Sequence, residues 1–254
     1  MNKESKGSYA EVHGLKMYYE IHGEGFPLVL LHGGLSAIGT SFGKVLPGLA
    51  RERQVIAIEQ QAHGHTADID RSLTYQQMAN DTIALLSYLG IEQADFFGYS
   101  IGAGIAMQIA IEHPSLVRKL VLATPISTRD GFHPGVLAGM EALQPEHLAG
   151  SPFQEEYERS APHPQDWPQL IAKVKQLNRE FVDWSPGPLL RSRHPPCSSL
   201  GMPISSAPST WSSCFDCSAA ASPAITSASR IHSLPCSRAP RTSRSWIALS
   251  GCFR

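Results

Sequence analysis

Cysteine is absent from the first 187 residues of this 254-residue chain, and no apolar run approaches the roughly 20 residues that a bilayer-spanning helix needs. A charge excess of either sign is also absent, because 21 basic residues stand against 22 acidic ones. The residues after Met1 lack the apolar core of a signal peptide. We therefore expect a cytoplasmic protein with one large domain, or one domain plus an insertion, and neither nucleic acid nor a membrane as its partner.

The composition changes abruptly near residue 188. Residues 1–187 hold 14 basic and 21 acidic residues, whereas residues 188–254, the C-terminal segment, hold seven Arg, 17 Ser and a single acid, Asp216. The C-terminal segment lacks Lys, Glu, Gln, Asn, Val and Tyr. It also carries all five cysteines: Cys197, Cys214, Cys217, Cys236 and Cys252.

Three interpretations of the C-terminal segment compete. A disulfide or metal module is disfavoured, because the spacing C-x2-C occurs once and no second pair of ligands accompanies it. A disordered Ser/Arg/Pro segment fits the composition better. The third interpretation is translation out of frame.

The preceding residues read as alternating strands and helices. Short apolar runs predict strands at 11–13, 16–21, 27–31, 54–58, 94–97 and 119–123. Helical patterns run from an N-cap at Thr74 to Leu89, and from Ile101 to Glu112. This order predicts a mostly parallel α/β sheet, in which ligands bind at the carboxyl ends of the strands.

Residues 126–184 differ from the rest, since they contain six prolines and helical patterns near 136–143 and 169–181. We interpret them as an inserted lid. The predicted organisation is a core at 1–125, a lid at 126–187 and the aberrant C-terminal segment from 188 onward.

Ser100 is the residue that we predict to carry the catalytic chemistry. Gly98-Tyr-Ser-Ile-Gly102 matches G-x-S-x-G, a pattern that is weak alone but here follows a strand and opens a helix. A sharp turn there would strain the backbone of Ser100 and lift its hydroxyl above the sheet. Side chains at Gly98 and Gly102 would collide across the turn, and the small residues after them let the helix approach the sheet.

A second element, His32-Gly33-Gly34, follows the strand at 27–31. Its glycines would let backbone N–H groups face an oxyanion, and we pair the N–H of Gly34 with that of Ile101, at a helix N-terminus. Leu35 is the register-shifted alternative to Gly34. For His32 we favour a buried structural role over a catalytic one.

These motifs resemble the α/β-hydrolase fold family. Residues 30–34, 53–68, 96–102, 113–114 and 120–123 occur in the family's order and spacing, and the resemblance covers about residues 10–187. It implies the family's fold, lid placement and serine chemistry. Because the elbow carries Ser and not Asp, the epoxide hydrolase and haloalkane dehalogenase branches are disfavoured. His63 and His65 lie where metal ligands could be sought, but we interpret them as loop histidines.

A serine nucleophile needs a histidine base and an acid that orients the base. The family places these after the serine, in a G-D-x-D loop and a late histidine loop, and neither motif follows Ser100. Asp216 lies between His194 and His232, which is the wrong order. Asp130 or His133 would require an unusual triad.

The C-terminal segment can be tested for a shift of reading frame. In the shifted frame, each new codon consists of the third base of one residue's codon and the first two bases of the next residue's codon. Read in this way, the codons of residues 194–217 could encode Pro-Thr-Leu-Leu-Val-Ile-Gly-Asp-Ala-Asp followed by an amphipathic helix. Residues 231–246 permit a strand followed by His. The codon of the missing Asp would straddle Pro203 and Ile204, and the codon of the missing His would straddle Arg241 and Thr242. We therefore interpret the segment as frameshifted near residues 186–189.

The functional expectation is a serine hydrolase that needs no metal or cofactor. It would act on a small ester, thioester, lactone or related carbonyl compound, with an apolar acyl group suggested by the aromatic residues of the lid. As written, the chain should turn over little or no substrate. The strand near 119–123 should be left as an uncovered, aggregation-prone edge. The alternative is a non-catalytic binding protein of the same fold.

Overall fold

A computed structural model describes residues 7–184 and the backbone of two further segments, 196–197 and 246–249. Its strands are β1 (Ser8–Val12), β2 (Leu15–His22), β3 (Pro27–Leu31), β4 (Gln54–Ile58), β5 (Ala94–Tyr99), β6 (Val117–Ala123), β7 (Pro196–Cys197) and β8 (Trp246–Leu249). They form one sheet in the order β1-β2-β4-β3-β5-β6-β8-β7. The strands β1 and β2 run antiparallel to their neighbours, and the others are parallel, which confirms the predicted α/β sheet.

The helices are α1 (Ile38–Phe42), α2 (Leu46–Leu49), α3 (Tyr75–Tyr88), α4 (Ile101–Glu112), α5 (Val136–Ala142), α6 (Pro152–Ser160) and α7 (Trp167–Arg179). The predicted N-cap at Thr74 is confirmed, because its side-chain oxygen accepts a hydrogen bond of 3.0 Å from the Gln77 N–H. The short helices α1 and α2 were not predicted.

Alternating residues of the central strands pack against opposite layers. On β3, Val29 and Leu31 join the larger hydrophobic cluster with α3, α4 and α7, whereas Leu28 and Leu30 join the smaller cluster with α1 and α2. Side chains on a strand alternate between faces, so an unbroken apolar run belongs to a strand that is covered on both sides. This burial fixes the positions of the strand ends that carry the candidate site.

The predicted lid region contains α5, α6 and α7. Its two ends lie side by side, because the Trp184 N–H donates to the Ser127 carbonyl at 2.8 Å. The helix α6 was not predicted, and Pro152 was only counted among the prolines of this region. Pro152 occupies the first helical position after the N-cap Ser151, where its missing N–H costs nothing.

The expectation of an uncovered edge at β6 is wrong for the backbone. The strand β8 runs parallel to β6, with Trp246 opposite Leu120 and Leu249 opposite Ala123. An edge strand offers a row of free peptide groups, and the apolar run at 246–249 has the composition of a strand. The predictions of disorder and of a frameshift concern residues that lie almost entirely outside the described ones.

Candidate active site

Ser100 lies at the turn between β5 and α4. Its backbone has φ 52° and ψ −116°, a conformation that a non-glycine residue adopts at a cost of roughly 1–3 kcal/mol. The turn is held by its N–H, which donates to the Ala123 carbonyl at 2.9 Å, and the residue is exposed. The strained elbow that the motif predicts is therefore present, at the carboxyl end of a central strand.

Glycine is required on both sides of this turn. A Cβ at Gly98 would collide with the Gly102 carbonyl, and one at Gly102 would collide with the Leu31 carbonyl. Two residues after Gly102, a Cβ at Gly104 would strike the ring of Tyr75. The predicted collision across the turn is confirmed for Gly98, whereas a side chain at Gly102 would instead meet the end of β3.

Gly34 and Ile101 lie next to each other across the elbow. A Cβ built at Gly34 would sit 2.5 Å from Ile101 Cδ1, so a side chain at position 34 would require the Ile101 side chain to shift. Within residues 7–184 no acceptor is found for the N–H of either residue. Two unpartnered backbone donors on adjacent segments are the arrangement that an oxyanion requires.

The register-shifted alternative, Leu35, is differently placed. Its N–H donates to His63 Nε2 at 3.3 Å, and its backbone has φ 58°. Because this donor already has an acceptor, the geometry favours Gly34 over Leu35 as the free donor.

His32 is buried, and both its ring nitrogens bond to the main chain. Nε2 accepts from the Gln60 N–H at 3.0 Å, so Nδ1 carries the proton and donates to the Gly33 carbonyl at 2.8 Å. Burial lowers the pKa of the ring. These contacts agree with a structural role for His32.

His63 and His65 occupy the loop after β4, and their surroundings differ. Burial, aided by the nearby His32 ring, lowers the pKa of His63 to about 3. His65 is half exposed, and a hydrogen bond from Nδ1 to Glu59 Oε2 raises its pKa. No cluster of three or more His, Cys, Asp or Glu suited to a metal occurs within the described part of the chain.

No side chain among residues 7–184 forms a hydrogen bond with Ser100 Oγ. The candidates Asp130 and His133 are exposed in the lid, and neither bonds to the serine. The other weighed residues, His194, Asp216 and His232, lie outside the described residues. The candidate nucleophile and the two candidate oxyanion donors are thus brought together, whereas within residues 7–184 no acid or base is bonded to the serine.

The predicted lid region reaches the candidate site through α7. Val174 is buried, and its Cγ1 would lie 3.4 Å from a Cβ at Gly34. Lys173 Nζ bonds to Asp68 at 2.7 Å and to the carbonyl of Ile69 at 3.0 Å, which ties the helix to the loop after β4. The spacing of the apolar residues of α7 could have revealed this inward face from the sequence.

The aromatic residues of the lid serve mainly for packing. Trp167 and Tyr157 are buried, with ring centroids 5.1 Å apart, and Phe181 and Trp184 pack at 5.8 Å. Phe153 is exposed. A cavity of about 270 Å³ between α5 and α7 has none of the site residues in its lining. Within the described residues, no helix is long and apolar enough to span a membrane.

The comparisons with known proteins agree with this geometry. A family model described as the alpha/beta hydrolase fold matches residues 27–176. The 2-hydroxymuconate semialdehyde hydrolase of Pseudomonas sp. strain CF600 is 37% identical over 113 residues, which is 43% of this chain and 40% of that protein. A protein of Azorhizobium caulinodans, provisionally named carbamate hydrolase RutD, is 32% identical over 185 residues, which is 70% of this chain and 67% of the relative.

Solved structures show the same fold. A serine hydrolase involved in carbazole degradation, the CarC enzyme, superimposes with a TM-score of 0.58 at 20% identity, over 73% of this chain and 75% of that one. A hydrolase from Pseudomonas aeruginosa PA01 gives a TM-score of 0.54 at 19% identity, over 70% and 74%. The family model spans more than half of the chain, and the strained serine turn stands where the parallel sheet ends. The chain therefore belongs to the α/β-hydrolase fold family.

Proposed function

We propose that the protein is a serine hydrolase in which Ser100 is the nucleophile and the N–H groups of Gly34 and Ile101 form the oxyanion hole. The observation that carries the proposal is the strained, exposed serine beside two backbone donors that lack acceptors among residues 7–184. Strain of this kind persists where a site requires it.

The chemistry follows from these three residues. Ser100 Oγ attacks a carbonyl carbon, the carbonyl oxygen takes up the electron pair, and the two N–H groups stabilise the resulting oxyanion. The leaving group departs with a proton, and water then releases the acyl group and restores the serine. The serine proton needs an acceptor in the first step, so the rate depends on a base.

The substrate class that we propose is a small carbonyl compound with an apolar acyl group. Ile101 and Val174 present apolar atoms at Gly34, next to the position of the oxyanion. The names of two relatives specify a semialdehyde and a carbamate as substrates, and both contain a carbonyl group. Esters, thioesters, lactones and activated C–C bonds all fit this description, and none of the reactions calls for a cofactor.

We further propose that the chain as written is impaired. Ser100 Oγ has no hydrogen-bonded base among the described residues, and loss of a triad member typically lowers turnover by several orders of magnitude. A frameshift near residues 186–189 would account for this loss. Resequencing the DNA across codons 183–246 tests the idea, and an intact frame without an inserted or deleted base would contradict it.

The nucleophile is tested by labelling the full chain with a fluorophosphonate and mapping the modified peptide. We expect slow labelling at Ser100, none in Ser100→Ala, and an unchanged rate in Ser115→Ala, a matched exposed serine. A burst assay with an activated aryl ester should show little turnover. Labelling that persists in Ser100→Ala would overturn the assignment.

The second candidate is a non-catalytic binding protein of this fold. The absence of a base bonded to Ser100 within residues 7–184 favours it. It predicts saturable binding of apolar carbonyl compounds with no covalent labelling of Ser100 at any reagent concentration. The labelling experiment therefore separates the two candidates.

A further inference from the structure

Three hydrogen bonds tie the loop after β3 to the loop after β4. The Leu35 N–H donates to His63 Nε2 at 3.3 Å, and the Gln60 N–H donates to His32 Nε2 at 3.0 Å. In the third, the Ile38 N–H donates to Glu59 Oε1 at 3.4 Å. The first loop, together with Ile38 at the start of α1, thus has a partner in the second loop at every third residue. The position of Gly34 within the first loop is consequently set by residues of the second.

His63 is itself held rigidly. Its N–H donates to the Gln60 carbonyl, and its own carbonyl accepts from the Thr66 N–H, both at 3.0 Å. Its ring Nδ1 lies 2.8 Å from the Gln61 carbonyl, which can only accept, so Nδ1 carries the proton. The lone pair of Nε2 is then free to accept from Leu35. Because burial lowers the pKa of the ring to about 3, the lone pair stays available at neutral pH.

The bond to His63 acts on a strained residue. Leu35 has φ 58°, in the left-handed region that a branched side chain rarely adopts. A hydrogen bond to its N–H stabilises this conformation. With that N–H directed to His63, the neighbouring N–H of Gly34 is the one left without an acceptor in the described part of the chain. Loss of the bond would let Leu35 relax and would turn the Gly34 N–H away.

We propose that His63 is a positioning residue of the oxyanion hole, which acts through Leu35 to aim the Gly34 N–H at the reacting carbonyl. The proposal rests on the proposed function of Ser100. His63 does not touch the substrate, and it takes no proton from the serine. Its contribution is the orientation of a donor, to which transition-state stabilisation is sensitive at the scale of an ångström.

The test compares two variants of the full chain. His63→Phe keeps a buried ring and removes the acceptor, whereas His63→Gln keeps an acceptor at a similar reach. We expect the rate of fluorophosphonate labelling at Ser100 to fall about tenfold or more in the phenylalanine variant and to recover to within about threefold of the parent rate in the glutamine variant. Equal labelling rates in the parent and the phenylalanine variant, at matched stability in urea, would overturn the proposal.

A second readout reports on the loop itself. The Leu35 amide should be protected from hydrogen exchange in the parent and in His63→Gln, and should lose about tenfold or more of its protection in His63→Phe. An unprotected Leu35 amide in the parent would contradict the proposal, whatever the labelling shows. If Ser100 is not labelled in the parent but the amide follows this pattern, the proposed function fails and the positioning of the loop by His63 stands.

Discussion

The two ends of strand β5 have opposite chemical environments. At its amino end, Asp95 is fully buried, and its carboxylate accepts from Arg53 Nη1 at 3.1 Å and from Arg118 Nε at 2.8 Å and Nη2 at 2.6 Å. Just past its carboxyl end, Ser100 is exposed and strained, and its hydroxyl has no bonded partner among the described residues. Only four residues thus separate a satisfied ion cluster from an unsatisfied hydroxyl.

This difference shows how one strand serves stability and chemistry together. The charges at the amino end are paired with each other, which is the condition for keeping an ionised group in the interior. At the carboxyl end, a hydroxyl and two N–H groups are left without partners within residues 7–184, as a site that binds a ligand needs. We therefore expect substitutions at the first end to change stability, and substitutions at the second to change reactivity.

The largest predicted effect on stability is at Asp95. Asp95→Ala should lower the free energy of unfolding by about 3 kcal/mol, because it leaves Arg53 and Arg118 without their shared carboxylate. The measurement is urea unfolding followed by tryptophan fluorescence. Asp130→Ala, at an exposed carboxylate, is the control and should change the free energy by less than about 0.5 kcal/mol. Equal effects of the two substitutions would remove the distinction between the ends of β5.

Low pH should reduce stability at the carboxyl end of the sheet, the end opposite to Asp95, because buried histidine rings there resist protonation. The pKa of His63 is about 3 in the folded protein, below its ordinary 6.5, so its contribution to stability is complete above pH 6.5 and is lost as the pH falls through that window. At pH 5 the loss should be about 2 kcal/mol. The parent and His63→Gln are compared by urea unfolding at pH 7 and pH 5.

His65 provides a control for the direction of this pH effect, because its pKa is shifted in the opposite direction to that of His63. The pKa of His65 is raised by Glu59, so its contribution is present below pH 6.5 and is lost as the pH rises. His65→Gln should therefore leave the acid sensitivity in place or increase it, whereas His63→Gln should reduce it. If His65→Gln, which lacks the opposing contribution, is as stable at pH 5 as at pH 7, the assignment of His63 as a buried neutral ring is contradicted.

Local patterns were sufficient to predict the central elements and the elbow. The strands β3 and β4 appear as apolar runs because both of their faces are buried, and glycines surround Ser100 because the turn leaves no room for a Cβ. Burial on both faces and lack of space for a Cβ constrain neighbouring residues, so their effects can be recognised in short stretches of sequence. The lid helix α6 was missed because Pro152 stops a helix in most positions and begins one in this position.

Contacts between distant residues could not be predicted in this way. His63 bonds to Leu35, 28 positions earlier, and nothing near His63 in the sequence indicates that partner. The pairing of β8 with β6 likewise joins residues more than 120 positions apart. The choice between Gly34 and Leu35 as donor depended on such a contact, so the sequence alone left it open.

The lid should be attached to the carboxyl end of the sheet mainly through Lys173. Its Nζ bonds to Asp68 at 2.7 Å and to the Ile69 and Arg71 carbonyls at 3.0 and 2.8 Å. Lys173→Met should cost about 1.5 kcal/mol of unfolding free energy and should speed proteolysis within residues 126–184. Lys175→Met is the control, since within residues 7–184 the one hydrogen bond of Lys175 Nζ is to the Leu143 carbonyl, and it should cost about 0.5 kcal/mol or less. Equal proteolysis of both variants would show that Lys173 does not secure the lid.

The smallest predicted effect is a gain in stability at Ser100. Ser100→Gly removes the Cβ from a residue with φ 52°, which relieves strain, although the more flexible unfolded chain offsets part of that gain. We expect a gain of about 1 kcal/mol in unfolding free energy relative to Ser100→Ala, which keeps the Cβ and the strain. Both variants lose the hydroxyl, so the difference between them isolates the backbone. If the glycine variant is no more stable than the alanine variant, the turn stores no strain. The two ends of β5 would then differ only in whether their polar groups are paired.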